Sequence, residues 1–232
     1  ESGYFIGVDV RKDSVNIAIV DFKGKFVSID EDVPYNLENT PAAFDKLCCL
    51  IEDFIATLKV PREKILSVGV NITGRVNPIS GYSYSFFYFE EKPLSLIFEE
   101  RLKIKVYIEN DTRAMAYGEY MKGVVKGEKN IIFVNISWGL GVGIILDGKL
   151  YYGKSGFSGE FGHFCLYDNE IICHCGKKGC LETEASGSAL HRMLLERYKE
   201  GSSTILSDKI NAGEEITLKD LTLVLVQLYQ FQ

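Results

Sequence analysis

The chain has 232 residues, 46% of them hydrophobic and 25% charged, which suits one large or two modest domains with real cores. Its 32 acidic residues outnumber the 26 basic ones and leave a net charge of −6, which argues against a nucleic-acid surface on this stretch. No apolar run approaches the roughly 18 residues of a membrane span and no signal peptide is visible, so no membrane partner is expected.

Tyr4 to Val10 (YFIGVDV) predicts a buried strand, with Val15 to Val20 as its antiparallel partner. Phe22-Lys23-Gly24-Lys25 turns the chain into a third strand from Phe26. Thr40-Pro41 opens a helix with a threonine cap and a proline at the first helical position. Phe44, Leu47, Ile51, Phe54, Ile55 and Leu58 give that helix one apolar face, on which Cys48 and Cys49 are expected. Ile65 to Ile72 predicts another strand, and Tyr82 to Phe89 is an aromatic-rich, extended stretch without an assigned role. A short helix over Leu94 to Leu102, a strand over Val106 to Glu109 and a helix over Thr112 to Lys122 complete the first half.

The second half opens with strands over Asn130 to Ser137 and Gly143 to Leu146, then the turn Asp147-Gly148-Lys149. An offset of 126 residues lays Asp21 on Asp147, Val10 on Ile136, and Val15 to Val20 on Gly141 to Leu146. A repeated three-strand meander implies two similar α/β lobes, residues 1–122 and 123–232, with a ligand in the cleft between them.

Between Ser158 and Glu182 stand His163, Cys173, Cys175 and Cys180, spaced H-x9-C-x-C-x4-C. Three thiols and an imidazole are four N/S ligands, a closed tetrahedral set that points to a structural zinc. Gly176 and Gly179 flank Lys177-Lys178 and let the chain reverse between the last two cysteines. The two lysines offset part of the thiolate charge. Fixing the ligands also fixes Glu160 and Glu182 beside them. On spacing alone, buried or disulfide-bonded roles for Cys173 and Cys175 stay open. His174 is expected to point away from the metal as a bystander, and His191 to lie on the surface or against a helix. Six cysteines in this pattern, with Cys165 in a strand-like run, suit reduced cytoplasmic thiols. The chain begins at Glu1 and stops at Gln232 after LTLVLVQLYQ, an apolar run that needs a partner surface. It reads as a fragment, or as a chain incomplete at both ends.

The sequence resembles the ROK family (repressors, open reading frames and kinases) of the actin-like, hexokinase-like superfamily. GEFGH with CHCGKKGCLE, YIENDTRAMAYGE at 107–119 and SWGLGVGIILDGKL at 137–150 carry the resemblance, which covers nearly the whole chain. It implies a two-lobed α/β fold of the ribonuclease H-like kind with a zinc-bound loop. It also implies that Asn110 and Asp111 contact sugar hydroxyls, with Asp111 as general base in the kinases. Glu160 and His163 would bind the sugar, His163 also ligating zinc, and Glu182 would complete the hydroxyl network. Without the resemblance Asp111 reads as a helix cap, Asn110 as a turn residue and Glu160 as a solvated acid.

Two stretches depart from the family pattern. Its kinases carry a phosphate loop of the form D-x-G-G-T after the first strand, where this chain has Asp9-Val10-Arg11-Lys12-Asp13-Ser14. A second loop, G-T-G-x-G-G-G in the family, is Ser137-Trp138-Gly139-Leu140-Gly141-Val142-Gly143 here, with Trp138 replacing a threonine. Backbone nests need left-handed residues, which cost a non-glycine about 1–2 kcal/mol. With altered phosphate loops and kept sugar residues the chain resembles the family's regulators, and that resemblance implies a sugar-sensing and oligomerising part of a regulator, leaning away from an enzyme. Its ligand would be a sugar or sugar-phosphate, and it would meet DNA only through a winged helix-turn-helix domain not in this chain. The alternatives are a sugar kinase using ATP-Mg²⁺ and Asp111, and a zinc-stabilised interaction module without a ligand.

Overall fold

A computed structural model describes residues 3–230, with side chains described as far as residue 225. Strand β1 (Tyr4–Val10) pairs antiparallel with β2 (Ser14–Asp21), and β2 with β3 (Phe26–Pro34). On its other side β1 pairs in parallel with β4 (Ile65–Ile72), and β4 with β7 (Val106–Asn110). The resulting five-strand order is β3-β2-β1-β4-β7. Alternation decides the covered face, since successive strand residues point to opposite sides. Ile6, Val8 and Val10, Val15, Ile17 and Ile19, Val68, Val70 and Ile72, and Val106 and Ile108 are all buried in one cluster.

Helix α1 (Pro41–Thr57) brings Phe44, Leu47, Ile51, Phe54 and Ile55 to that cluster, and α2 (Leu94–Leu102) adds Ile97, Phe98 and Leu102. Thr40 caps α1 by accepting the Ala43 N–H at 3.2 Å, with Pro41 in its first turn. Cys48 joins the core, but its neighbour Cys49 is exposed, one residue along a helix being a step of about 100°. The aromatic stretch acquires a role: Tyr82–Ser83 is a short strand, β6, paired with β5 (Val76–Asn77), and Phe87 is buried against Phe44 with ring centroids 5.4 Å apart.

Helix α3 (Asp111–Lys122) follows β7 without a break. Strands β8 (Ile131–Ile136), β9 (Leu140–Leu146) and β10 (Lys149–Leu150) form a second sheet in the order β10-β9-β8. The 126-residue offset therefore holds for β1 and β2 against β8 and β9. It fails at the third strand, nine residues in β3 and two in β10. Helices α4 (Gly187–Lys199), α5 (Ser207–Asn211) and α6 (Leu218–Gln230) close the chain. Leu206, Ile216 and Leu221 are buried among them, with Trp138, Leu190 and Leu194 packed alongside. In the apolar run of α6, Leu221 is buried while Leu223 and Leu225 are exposed; the side chains of residues 226–230 lie outside those described.

The chain divides into two compact units, Glu1–Ile131 with Ile144–Ser158, and Ile132–Gly143 with Gly159–Gln232. The expected 122/123 boundary falls between α3 and β8. Among the described residues no helix is long and apolar enough to cross a membrane.

Candidate functional site

In the second unit, a one-turn 3₁₀ segment at Phe161–His163 delivers His163, and the strand-like run beyond it leads to the three cysteines. The Cys173 N–H donates to the Lys177 carbonyl at 2.8 Å and the Gly176 N–H to the Cys173 carbonyl at 2.8 Å, which folds 173–177 into a tight turn. Gly179, at φ +71°, lies so close to the Tyr167 carbonyl that a Cβ would sit 2.0 Å from its oxygen. Both Gly179 and Gly176 (φ +84°) hold the left-handed geometry that favours glycine.

The ligand atoms of His163, Cys173, Cys175 and Cys180 all lie within 4.8 Å of one another. Zinc bond lengths and a tetrahedral angle place two sulfurs about 3.8 Å apart, and a sulfur and an imidazole nitrogen about 3.6 Å apart. Here Cys175 Sγ and Cys180 Sγ are 3.6 Å apart, and Cys173 Sγ and His163 Nδ1 3.5 Å. All six cysteines are free thiols. The donor set and its spacing fit a four-coordinate metal. The far ring nitrogen, His163 Nε2, faces Glu160 Oε2 at 3.7 Å, an electrostatic contact longer than a hydrogen bond.

His174 is not a bystander. Its ring is largely exposed, yet Nδ1 lies 2.9 Å from Glu182 Oε1. That contact lifts the imidazole above its ordinary pKa. Glu182 is buried, and its Oε2 accepts the Leu140 N–H at 2.8 Å. Burial would raise its carboxyl, but the bonds from His174 and Leu140 outweigh burial and hold it below the usual value. His191 packs edge-on against Trp138, centroids 5.7 Å apart, as a helix-packing residue.

In the first unit, the cap of α3 is Asn110 rather than Asp111. Asn110 Oδ1 accepts the Arg113 N–H at 3.0 Å, and its amide donates to the Gly74 carbonyl and to Asp111 Oδ1, each at 3.0 Å. Asp111 is the first helical residue and takes the Thr112 N–H at 2.7 Å. Burial pushes its carboxyl above the ordinary value, and the nearby Asp9 adds to the rise. Sequence reading missed what stands behind this corner. Arg113, 2% exposed, donates to Glu109 at 2.7 Å, to the Val76 carbonyl at 2.7 Å and to the Gly156 carbonyl at 3.1 Å. Its guanidinium lies over the Tyr152 ring, and the Tyr152 hydroxyl donates to Glu109 at 3.0 Å. Glu109 lies in β7 and Arg113 in α3, so no spacing rule within one element pairs them and the sequence carried no signal for the contact.

The two departing loops are now definable. The turn between β1 and β2 closes through Arg11 N–H to the Ser14 carbonyl at 2.9 Å, and no residue from 10 to 14 has positive φ. The Arg11 guanidinium is held by Asp9 at 3.0 Å and Asp32 at 3.4 Å. In the loop 137–143, the N–H groups of Ser137, Leu140 and Val142 donate to the Gly139 carbonyl, to Glu182 and to the Gly159 carbonyl.

The sequence profile of the ROK family matches residues 5–229. This chain belongs to the ROK family. The ROK chain is 32% identical over 201 residues to the xylose repressor of Bacillus subtilis strain 168, covering 86% of itself and 52% of the repressor. It is 35% identical over 201 residues to a glucokinase of Streptomyces coelicolor, covering 84% of itself and 60% of that enzyme. A solved ROK family transcriptional regulator, a homologue of the Escherichia coli MLC protein, superposes with a TM-score of 0.76 at 26% identity, over 97% of this chain and 56% of that one. A ROK family glucokinase from Streptomyces griseus, in complex with glucose and AMPPNP, gives 0.73 at 29% identity, over 86% and 62%. The mixed α/β fold is thus that of ROK regulators and kinases alike. The ROK chain spans about half the length of the curated xylose repressor it matches.

Proposed function

We propose that this ROK chain is the sugar-binding effector and oligomerisation part of a transcriptional regulator, set in a reducing cytoplasm and reaching DNA through a separate winged helix-turn-helix domain. The observation that carries the reading is the state of the two loops. A phosphate site needs inward N–H groups and positive charge. Here the β1–β2 turn surrounds its arginine with carboxylates, and three N–H groups of 137–143 are bonded within the fold. The proposed hydroxyl-binding residues are kept: Asn110 and Asp111 in the first unit, and Glu160, His163 and Glu182 in the second. Carboxylates suit a sugar because charge-assisted bonds are roughly twice as strong as neutral ones.

Zinc would be held by His163, Cys173, Cys175 and Cys180. It would supply no open coordination position for chemistry, only a fixed loop. The chain's own residues do the rest, Glu160 setting its charge beside the His163 ring and Asn110 holding Asp111 in place. To switch a two-state regulator from 1:99 to 99:1, the sugar or sugar-phosphate must favour one state by about 5.5 kcal/mol.

The second reading, an ATP-Mg²⁺-dependent sugar kinase, is favoured by one observation. Asp111 is half-buried, and loss of solvent raises its carboxyl pKa, which suits a general base. Calorimetry on the zinc-loaded chain, with D-xylose, D-glucose and N-acetylglucosamine and separately with ATP-Mg²⁺, tests both. Heat from a sugar and none from nucleotide is the expected result. Sugar-dependent conversion of ATP to ADP with the phosphoryl group transferred to the sugar, abolished by Asp111→Asn, would overturn the sensor reading in favour of the kinase.

A further inference from the structure

Glu182 is bonded through both carboxylate oxygens inside its own unit. Oε2 accepts the Leu140 N–H at 2.8 Å, and Gly139 permits that approach, since a Cβ there would sit 2.9 Å from the same oxygen. Oε1 lies 2.9 Å from His174 Nδ1 and 3.8 Å from Cys173 Sγ. The residue itself sits in the 3₁₀ turn Leu181–Thr183 that starts directly after the ligand Cys180. One buried side chain therefore joins the cysteine loop to the loop 137–143. That loop in turn starts α4: the Ser137 carbonyl accepts the Gly187 N–H at 2.7 Å and the Trp138 carbonyl the Ser188 N–H at 3.1 Å. The Trp138 side chain packs beside Leu206, Ile216 and Leu221.

We propose that Glu182 is a positioning residue that ties the conformation of the loop 137–143, and of the start of α4, to occupancy of the metal centre. The inference rests on the metal centre of the proposed function and gives Glu182 a role besides sugar binding. Its physical basis is the geometry of a carboxylate between two clients. The cysteine loop fixes where Glu182 can be, and Glu182 fixes where the Leu140 N–H can be. A ligand loop that loosens carries the carboxylate away, and a buried N–H left without its acceptor drives the loop 137–143 to rearrange. Residues around a metal commonly carry this kind of orienting contact.

Trp138 is the chain's only tryptophan, so its emission reports on this loop. The zinc-loaded chain would be titrated with EDTA while zinc content, Trp138 emission and far-ultraviolet circular dichroism are followed. The expected result is a shift of the emission maximum as zinc leaves, reversed by added zinc, with secondary structure retained. Glu182→Ala should keep its zinc, begin at the shifted maximum and ignore EDTA. Gly139→Ala approaches the same contact from the other loop and leaves every ligand in place. It should lose most of the response, and it keeps the test decisive if Glu182→Ala does not fold. Zinc release with unchanged emission in the wild type, or both variants responding as the wild type does, would overturn the coupling alone. A wild type that takes up no zinc would overturn the metal centre and the coupling with it, and zinc content tells the two failures apart.

Discussion

Asp111 and Arg113 sit two residues apart at the start of one helix and meet burial in opposite ways. Asp111 is a carboxyl whose folded pKa lies above the ordinary 3.8, mainly through burial. Its protonated form is the one that folding favours. The associated stability is complete below 3.8 and is lost as pH rises through the folded value. Asp111→Asn should therefore match the wild type in urea unfolding at about pH 3 and exceed it at about pH 7. A gap that does not grow with pH would refute this. The Arg113 guanidinium is matched on every side by Glu109, two carbonyls and the Tyr152 ring. Arg113→Met leaves Glu109 without its cation and should cost about 3–5 kcal/mol in chemical denaturation, because breaking a buried pair strands the other charge. At this scale the sequence was a partial guide. It showed the acids and the cluster of His163, Cys173, Cys175 and Cys180, but not that His174 would turn onto Glu182, since neighbouring side chains in a tight turn are aimed by backbone angles that no spacing rule supplies.

At the scale of elements, the cysteine loop isolates two causes of glycine dependence. Gly176 and Gly179 both have positive φ, but a Cβ at Gly176 meets nothing within 4 Å, whereas one at Gly179 collides with the Tyr167 carbonyl. Gly176→Ala should lose only the conformational part, about 1–2 kcal/mol. Gly179→Ala should weaken zinc retention far more in competition with a chelator; equal losses would mean that the collision is relieved at no cost. The hairpins were readable because alternating apolar residues flank turn residues, in YFIGVDV and again across Asp147-Gly148-Lys149. The offset of 126 failed at the third strand because pairing length depends on the neighbour's edge, which a self-comparison of the sequence does not contain. Phe87 was missed for a related reason. Its burial depends on Phe44, 43 residues earlier, and on an Asn39 side chain that accepts its N–H at 2.6 Å.

For the whole molecule, the metal centre is the largest single stabilising element proposed. Structural zinc supplies roughly 10–16 kcal/mol of apparent binding free energy in small domains that do not fold without it; this chain has hydrophobic clusters of its own, so loss of zinc should lower the melting temperature and leave the secondary structure in place at room temperature. About one equivalent of zinc per chain is expected by elemental analysis, and Cys175→Ser should lower the melting temperature sharply. A zinc-free chain melting at the same temperature as the loaded one would refute the claim. The α/β class was legible because strands and helices announce themselves by period, two against 3.6. The division into units was less so: residues 144–158 return to the first unit after 132–143 have left it, and composition does not mark such a return.

That return has a practical consequence. The carbonyl of Gly156 and the ring of Tyr152, both supplied by the returning segment, complete the surroundings of Arg113. A gene truncated after residue 131 would encode every strand of the five-strand sheet and still leave this guanidinium half-clothed. Expressing the first unit by itself would call for grafting residues 144–158 back through an engineered linker.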